Sequence, residues 1–285
     1  MRGYVAVIIV TYNSEKFLTK CLDALSGQLN AGDQLIIVDS ASQDTDYLKK
    51  AEKAAQSYSL ELILCKDNVG FCKGNNIGYA HVRPDVDFVL FLNPDLFLTP
   101  LQYTFIDRAT ELMAQPQHRQ VGAMTGLLLG YDINKDQPTG LVDSAAIFSS
   151  WYGRWYDRDQ GTAFATVHYD EWEHVPALCG ALMFCRKEAL DQVLLSPNEV
   201  MDNTFYMYKE DIDLSLRLHA KRWKLLFCST LLAYHCRGWS TDRTKVDRRW
   251  RLLSAKNEMA LYRRLKSPCY FYSTLKFLAV KYFNI

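Results

Sequence analysis

Asp95 follows the apolar run Phe88-Val89-Leu90-Phe91-Leu92 after only two residues, Asn93 and Pro94. A carboxylate held by a proline turn at the end of a buried strand stands on the rim of a sheet, where open α/β folds bind their ligands. Such a group suits a hard cation and the phosphate oxygens that a cation neutralises. The same tripeptide is also an ordinary turn that ends a strand. Two other places pose the same choice. Glu210 and Asp211 stand where the aromatic segment Phe205-Tyr206-Met207-Tyr208 turns into a helical pattern. They read as helix-terminal acids stabilised by free amides, or as a general base if burial raises the pKa. His235 follows the last apolar run, 225–233, as a satisfied structural histidine or as a contact to metal or phosphate.

A fourth stretch, Asp67 to Gly78, spaces Gly70, Gly74 and Gly78 four residues apart, with Asn68, Asn75 and Asn76 among them. On a helix those glycines share a face that can approach a neighbour or a ligand closely. Each weakens the helix by about 1 kcal/mol relative to alanine, so a close contact must offset the loss. Tight packing accounts for this, and the asparagines point to a phosphate or sugar.

These residues need a scaffold that lifts them to one edge. Short β-branched runs at 5–11, 35–39, 60–65 and 88–93 alternate with amphipathic patterns at 14–26, 47–58 and 71–81. This predicts βαβ units feeding a mostly parallel sheet covered on both faces. Ser14 is placed to cap the first helix, whose Phe17, Leu18, Cys21, Leu22 and Leu25 form one stripe. Thr11, Tyr12 and Asn13 then lie above the first strand, and Asp39 ends the second. Residues 177–185 read as a strand interrupted by Gly180 and Ala181, small enough for a close ligand. Trp151 and Trp155 belong to an aromatic cluster that either covers a small core or forms a sugar or lipid platform.

Composition narrows the classes. With 285 residues, 49% of them hydrophobic, the chain supports a sizeable core, and a formal charge of +1 gives no global field for nucleic acid. The eight cysteines are scattered without metal spacing, as expected of reduced core thiols in a cytoplasmic protein. Neither a signal peptide nor a run near the ~20 residues of a membrane span is visible. From Arg237 onward a basic helical pattern (Arg243 to Lys266) leads into Tyr270, Phe271, Tyr272, Phe277, Leu278, Tyr282 and Phe283. It reads as a solvated helix face or as a peripheral contact with an anionic membrane.

Taken in order, Val10-Thr11-Tyr12-Asn13, Ile37-Val38-Asp39-Ser40-Ala41-Ser42-Gln43-Asp44, Asn68-Val69-Gly70-Phe71, Asn93-Pro94-Asp95, Gly180-Ala181, Glu210-Asp211-Ile212-Asp213 and His235 resemble the inverting family 2 glycosyltransferases, especially their bacterial rhamnosyltransferase-like branch. The resemblance covers residues 4 to about 240. It implies a GT-A fold, a Rossmann-like and mostly parallel α/β sheet flanked by helices. A domain over 1–236 would comprise a nucleotide-sugar half (1–97) and an acceptor and catalytic half (98–236), with a helical basic and aromatic extension over 237–285.

By the same resemblance, Thr11, Tyr12, Asn13, Asp39, Asn68, Gly70, Phe71, Lys73, Asn75, Asn93 and Asp95 would bind the donor, and Asp95 with His235 would hold Mn²⁺ or Mg²⁺. Asp211, supported by Glu210, would be the base; Gly180, Ala181, Trp151 and Trp155 would face the acceptor. The Asn-Pro-Asp form replaces the family's first acid by neutral Asn93 and favours dTDP-L-rhamnose over a UDP-sugar. The acceptor would be a saccharide or polyprenyl-diphosphate-linked saccharide of O-antigen or capsule synthesis. A nucleotidyltransferase would instead carry a basic, Gly-rich loop after the first strand, which Thr11-Tyr12-Asn13-Ser14 is not. A catalytically inactive sugar- or nucleotide-binding protein would have no use for Asp95 and Glu210-Asp211.

Overall fold

The computed structural model describes residues 2–49, 58–99, 104–236 and 247–283. The first half follows the alternating pattern: β1 (Val5–Thr11), α1 (Glu15–Ser26), β2 (Gln34–Asp39), β3 (Ser59–Leu64), α2 (Gly70–Ala80) and β4 (Phe88–Leu92). The four strands pair in parallel in the order β3-β2-β1-β4. Because the chain runs outward from β1 to β3 and then returns to the other side of β1, a topological switch point lies between β1 and β4. Every residue of β2 and β4 is buried, as continuous apolar runs require when both faces are covered.

Beyond β4 come β5 (Leu96–Leu98), α3 (Phe105–Ala114), β6 (Val121–Asp132), β7 (Gln137–Ser144), β8 (Ile147–Ser149), β9 (Trp155–Asp157), β10 (Trp172–His174), β11 (Leu182–Arg186), α4 (Lys187–Asp191), α5 (Glu210–Ala220), β12 (Lys224–His235), α6 (Arg248–Arg264) and α7 (Tyr270–Phe283). One ten-stranded sheet runs β10-β12-β6-β11-β4-β1-β2-β3, with β5 on β12 and β7 on β6. β11 is antiparallel to both β4 and β6 and splices the two halves together. The eight cysteines are all free thiols, five of them buried.

Several expected boundaries move. The predicted strand at 177–185 begins only at Leu182, so Gly180 and Ala181 form the turn that enters β11. The last strand extends through His235, because its end pairs with β5 on one side and β6 on the other. Ser14 stands at the N-cap of α1 without capping it: its hydroxyl accepts from the Tyr12 amide at 3.2 Å, and its backbone carbonyl takes the Phe17 and Leu18 amides. The helix expected at 47–58 leaves a 3₁₀ turn at Asp46–Leu48; residues 50–57 lie outside the described set. The basic tail is two helices, separated at Pro268, which cannot continue a helix; residues 237–246 also lie outside that set.

The small face of α2 packs on the sheet. A Cβ at Gly74 would lie 2.7 Å from Val10 Cγ1, and one at Gly78 would lie 2.5 Å from Ile8 Cγ2. Close helix-to-strand contact, rather than a ligand, therefore offsets the weak helix propensity at these two positions. Alanine at Gly78 would gain about 1 kcal/mol in propensity, but overpacking against a buried strand costs about 1–3 kcal/mol. Gly78→Ala is therefore expected to lower the urea midpoint of unfolding; an unchanged or raised midpoint would mean that β1 yields freely.

Candidate active site

The sheet brings Asp95 and His235 together through β5. Leu96 is the register partner of His235, and the Cys236 amide donates to the Asp95 carbonyl at 2.9 Å. His235 Nε2 consequently lies 3.5 Å from Asp95 Oδ1, while Nδ1 donates to Asp143 Oδ2 at 2.7 Å. Burial disfavours the imidazolium, but the carboxylates of Asp95 and Asp143 outweigh it and push the pKa of His235 up to about 9. A histidine whose far nitrogen is fixed by a carboxylate presents its other nitrogen in one direction, as metal-ligating histidines do.

The donor set fits a divalent cation. Asn93 Oδ1 is buried without a hydrogen-bond partner among the described residues, and Asn93 lines the same cleft as Asp95 and His235. Among the described residues no three His, Cys, Asp or Glu side chains form a complete cation site. The protein thus offers part of a coordination shell, as sites that share Mg²⁺ with substrate phosphates do.

Asp211 opens into this cleft, which has a volume of about 380 Å³. It sits in the first turn of α5, with Oδ2 accepting from the Gly180 amide at 3.1 Å and Oδ1 from the Ile212 amide at 2.8 Å. Burial raises its pKa above the ordinary carboxylate value, against the charge of Lys209 and the two amides, and Asp157 adds to the rise. Glu210 beside it is 6% exposed. The helix starts abruptly because Tyr208 and Lys209 both take left-handed backbone angles, φ 70° and 76°. Consecutive non-glycine residues in that region cost about 1–3 kcal/mol each and persist where their surroundings fix them. Here Asn257 on α6 donates its amide to the carbonyls of Met207 and Tyr208, both at 2.9 Å.

The rim above β1 and β2 is organised by Asp39. Its carboxylate accepts from Thr11 Oγ1 at 2.9 Å, Ser42 N at 2.8 Å, Ser42 Oγ at 2.5 Å and Tyr47 OH at 3.2 Å. Thr11 and Asp39 are 0% and 1% exposed, so in this structure both hold the loops in place from beneath the surface that was expected to include them. Tyr12 and Asn13 are the outward-facing pair, Asn13 with φ 49° and its side chain accepting from the Gln43 amide at 2.9 Å. Asn68 ties this rim to the segment that leads into α5, accepting from Ser40 Oγ at 3.1 Å, Gly70 N at 3.0 Å and Tyr206 OH at 2.7 Å.

The cleft gathers Phe71, Asn93, Asp95, Trp155, Gly180, Ala181, Glu210, Asp211 and His235 from the sequence-predicted set. Gly70 takes φ 79° at the start of α2, against the Tyr206 ring, and Lys73 is exposed on α2. Two of the expected residues, Asn75 and Trp151, do not line the cleft. Asn75 is 2% exposed with its amide bonded to the Phe71 carbonyl, a helix-internal role. Trp151 is 93% exposed and packs edge-on against Tyr152. Tyr156, from the same aromatic cluster of the sequence as Trp155, also lines the cleft; sequence reasoning missed Asp143, Asp157 and Asn257. Asp143 and Asn257 act through distant partners, and no local spacing marks them.

The first half carries a recognisable family pattern. Residues 6–127 match the model of Glycosyl transferase family 2. The whole described fold is similar to solved structures. GalNAc-T7 with UDP, GalNAc and Mn²⁺ aligns with a TM-score of 0.67 at 15% identity, over 92% of this chain and 48% of its own. Mannosyltransferase PcManGT from Pyrobaculum calidifontis, in complex with GDP-Man and Mn²⁺, aligns at 0.63 and 14% identity over 98% and 70%. S. aureus TarS 1-349 in complex with UDP aligns at 0.54 and 18% identity over 91% and 65%. The chain thus spans about half the length of GalNAc-T7. No curated protein matches it. At these identities the likeness is one of fold, and the fold is the α/β GT-A fold.

If the amide of Asn257 holds the strained start of α5, Asn257→Ala should lower kcat about tenfold or more while leaving nucleotide affinity near that of the parent. Equal kcat in the variant would remove Asn257 from the positioning of Asp211.

Proposed function

We propose that this chain is an inverting glycosyltransferase that uses a nucleoside diphosphate sugar and a divalent cation. The observation that carries the reading is the opening of Asp95, His235 and Asp211 into one cleft. A base with a raised pKa thereby faces a partial cation shell. Asp95 and His235, with Asn93 Oδ1 beside them, would hold Mn²⁺ or Mg²⁺, which when bound neutralises charge on a departing diphosphate.

Asp211 takes the proton of the acceptor hydroxyl. The Gly180 and Ile212 amides fix the orientation of its carboxylate, and burial makes it a stronger base than a solvated aspartate. One base on one side of the anomeric carbon serves a single displacement, which inverts configuration. Trp155 and Tyr156, which line the cleft, offer flat faces for a sugar. Asn93-Pro94-Asp95 supports dTDP-L-rhamnose as donor; UDP-sugars are the competing class, since UDP occupies two of the similar structures. The acceptor would be a saccharide or polyprenyl-diphosphate-linked saccharide of a surface polysaccharide, glycosylated on the cytoplasmic side.

A thermal-shift panel of UDP, GDP and dTDP and their sugars, with and without Mn²⁺, should show stabilisation by one nucleotide that depends on Mn²⁺. Asp95→Ala should remove the Mn²⁺-dependent part; its persistence would displace the cation from Asp95. Asp211→Asn should lower kcat by at least about a hundredfold with nucleotide affinity retained. Because only ionised Asp211 accepts a proton, kcat/KM should rise with pH through a midpoint above the ordinary ~3.9 of aspartate. A flat profile, or normal turnover by the variant, would exclude Asp211 as the base.

A further inference from the structure

The outer face of α7 is apolar where a water-facing helix is polar. Phe271, Leu275, Leu278 and Tyr282 are 72%, 51%, 39% and 66% exposed. Their spacing of four, three and four residues places them on one stripe. Ser273 and Val280, seven residues apart, are buried on the other side. Trp151, the most exposed aromatic of the described chain, reaches this helix through edge-on contacts from Trp151 to Tyr152 and from Tyr152 to Tyr272, with ring centroids 5.4 and 5.0 Å apart.

Charge frames the stripe. Residues 248–283 contain nine lysines and arginines and a single acid, Glu258. Glu258 is fully buried and paired with Lys276. The Arg248 guanidinium donates to the Lys281 carbonyl, so α6 and α7 form an antiparallel hairpin. Exposed Arg263 and Lys266 stand at its turn, and exposed Arg248, Arg249 and Lys281 at its open end. The Lys281 ammonium lies 5.2 Å from the centroid of the Tyr282 ring, and long cationic side chains of this kind place their charge at an interface while their stems cover apolar surface. No described helix is long and apolar enough to cross a membrane. At about 1.5 Å per residue, α7 is shorter than the ~30 Å hydrocarbon layer, so such a helix lies on a bilayer and not across it.

We propose that the exposed face of α7 docks on an anionic lipid bilayer, with Phe271, Leu275, Leu278 and Tyr282 entering the interface and the basic ends of the hairpin meeting the headgroups. Net charge selects the occupant: a second copy would bring cations against cations, whereas an anionic surface attracts them at about 1 kcal/mol per residue near the headgroups. The same hairpin borders the catalytic cleft through Ser254 on α6. Docking would therefore hold the cleft beside a lipid-linked acceptor, and this last consequence alone rests on the glycosyl-transfer reading.

Co-sedimentation of the full chain with vesicles of phosphatidylcholine alone, or mixed with phosphatidylglycerol, tests the docking without any assay of turnover. Binding is expected to the anionic vesicles, weakened by salt, with blue-shifted tryptophan emission. Phe271→Glu with Leu275→Glu should lower partitioning by about a hundredfold, near tenfold for each apolar side chain removed from the interface. The melting temperature should stay near that of the parent, because both positions are exposed. Equal binding by the double variant, or absence of binding to anionic vesicles, would overturn the proposal. So would a dimer in lipid-free buffer that the double variant splits. Loss of turnover with vesicle binding intact would count against the reaction and not against the docking.

Discussion

Leu96 lies opposite His235 where the three-residue strand β5 pairs with β12, and Cys236 donates its amide to the Asp95 carbonyl. That short antiparallel contact fixes the geometry on which the cleft depends. Asp95 comes from the parallel half of the sheet and His235 from the far end of the chain's last strand, 140 positions later in the numbering shown. The pairing sets Asp95 beside a histidine that is already bound to Asp143. With it, three ionisable groups align along one edge. The attraction of both carboxylates for the imidazolium overcomes the cost of burying it.

The opposite wall has a different origin. Two residues in left-handed conformation start α5 at Glu210, and α6 supplies the amide that satisfies the carbonyls exposed by that bend. Arg264, also on α6, pairs with Asp202 and Asp213 on either side of the same segment. The C-terminal hairpin thus braces the start of α5 and at the same time bears the exposed aromatic stripe.

The alternating βαβ pattern and the strand-end acids were legible in the sequence because their signals are local: apolar period, glycine spacing, and polar residues where apolar runs stop. Asp95, Asp211, Gly180 and His235 could each be singled out on those grounds. Their convergence was implied only by the family resemblance, since it depends on pairings between β5 and β12 and between β11 and β4 that no periodicity encodes. Asp39 and Thr11 show the limit from the other side. Their position at strand ends was clear, but that their hydrogen bonds turn inward to Ser42 and Tyr47 is a tertiary matter. Gly74 and Gly78 gave a correct signal of close approach, and only the fold identifies the neighbour as β1. Trp151 was an aromatic without a periodic context, and its exposed place goes with its contact to Tyr152, whose ring meets Tyr272 of α7.

Crystals grown with a nucleoside diphosphate and Mn²⁺, examined by manganese anomalous scattering, address the shared cleft most directly. A single anomalous peak within coordination distance of the Asp95 carboxylate and His235 Nε2, with Asp211 facing it across the cleft, is the expected result. A peak held by other residues, or nucleotide bound with no metal near Asp95, would contradict the assignment of this cleft as the catalytic centre.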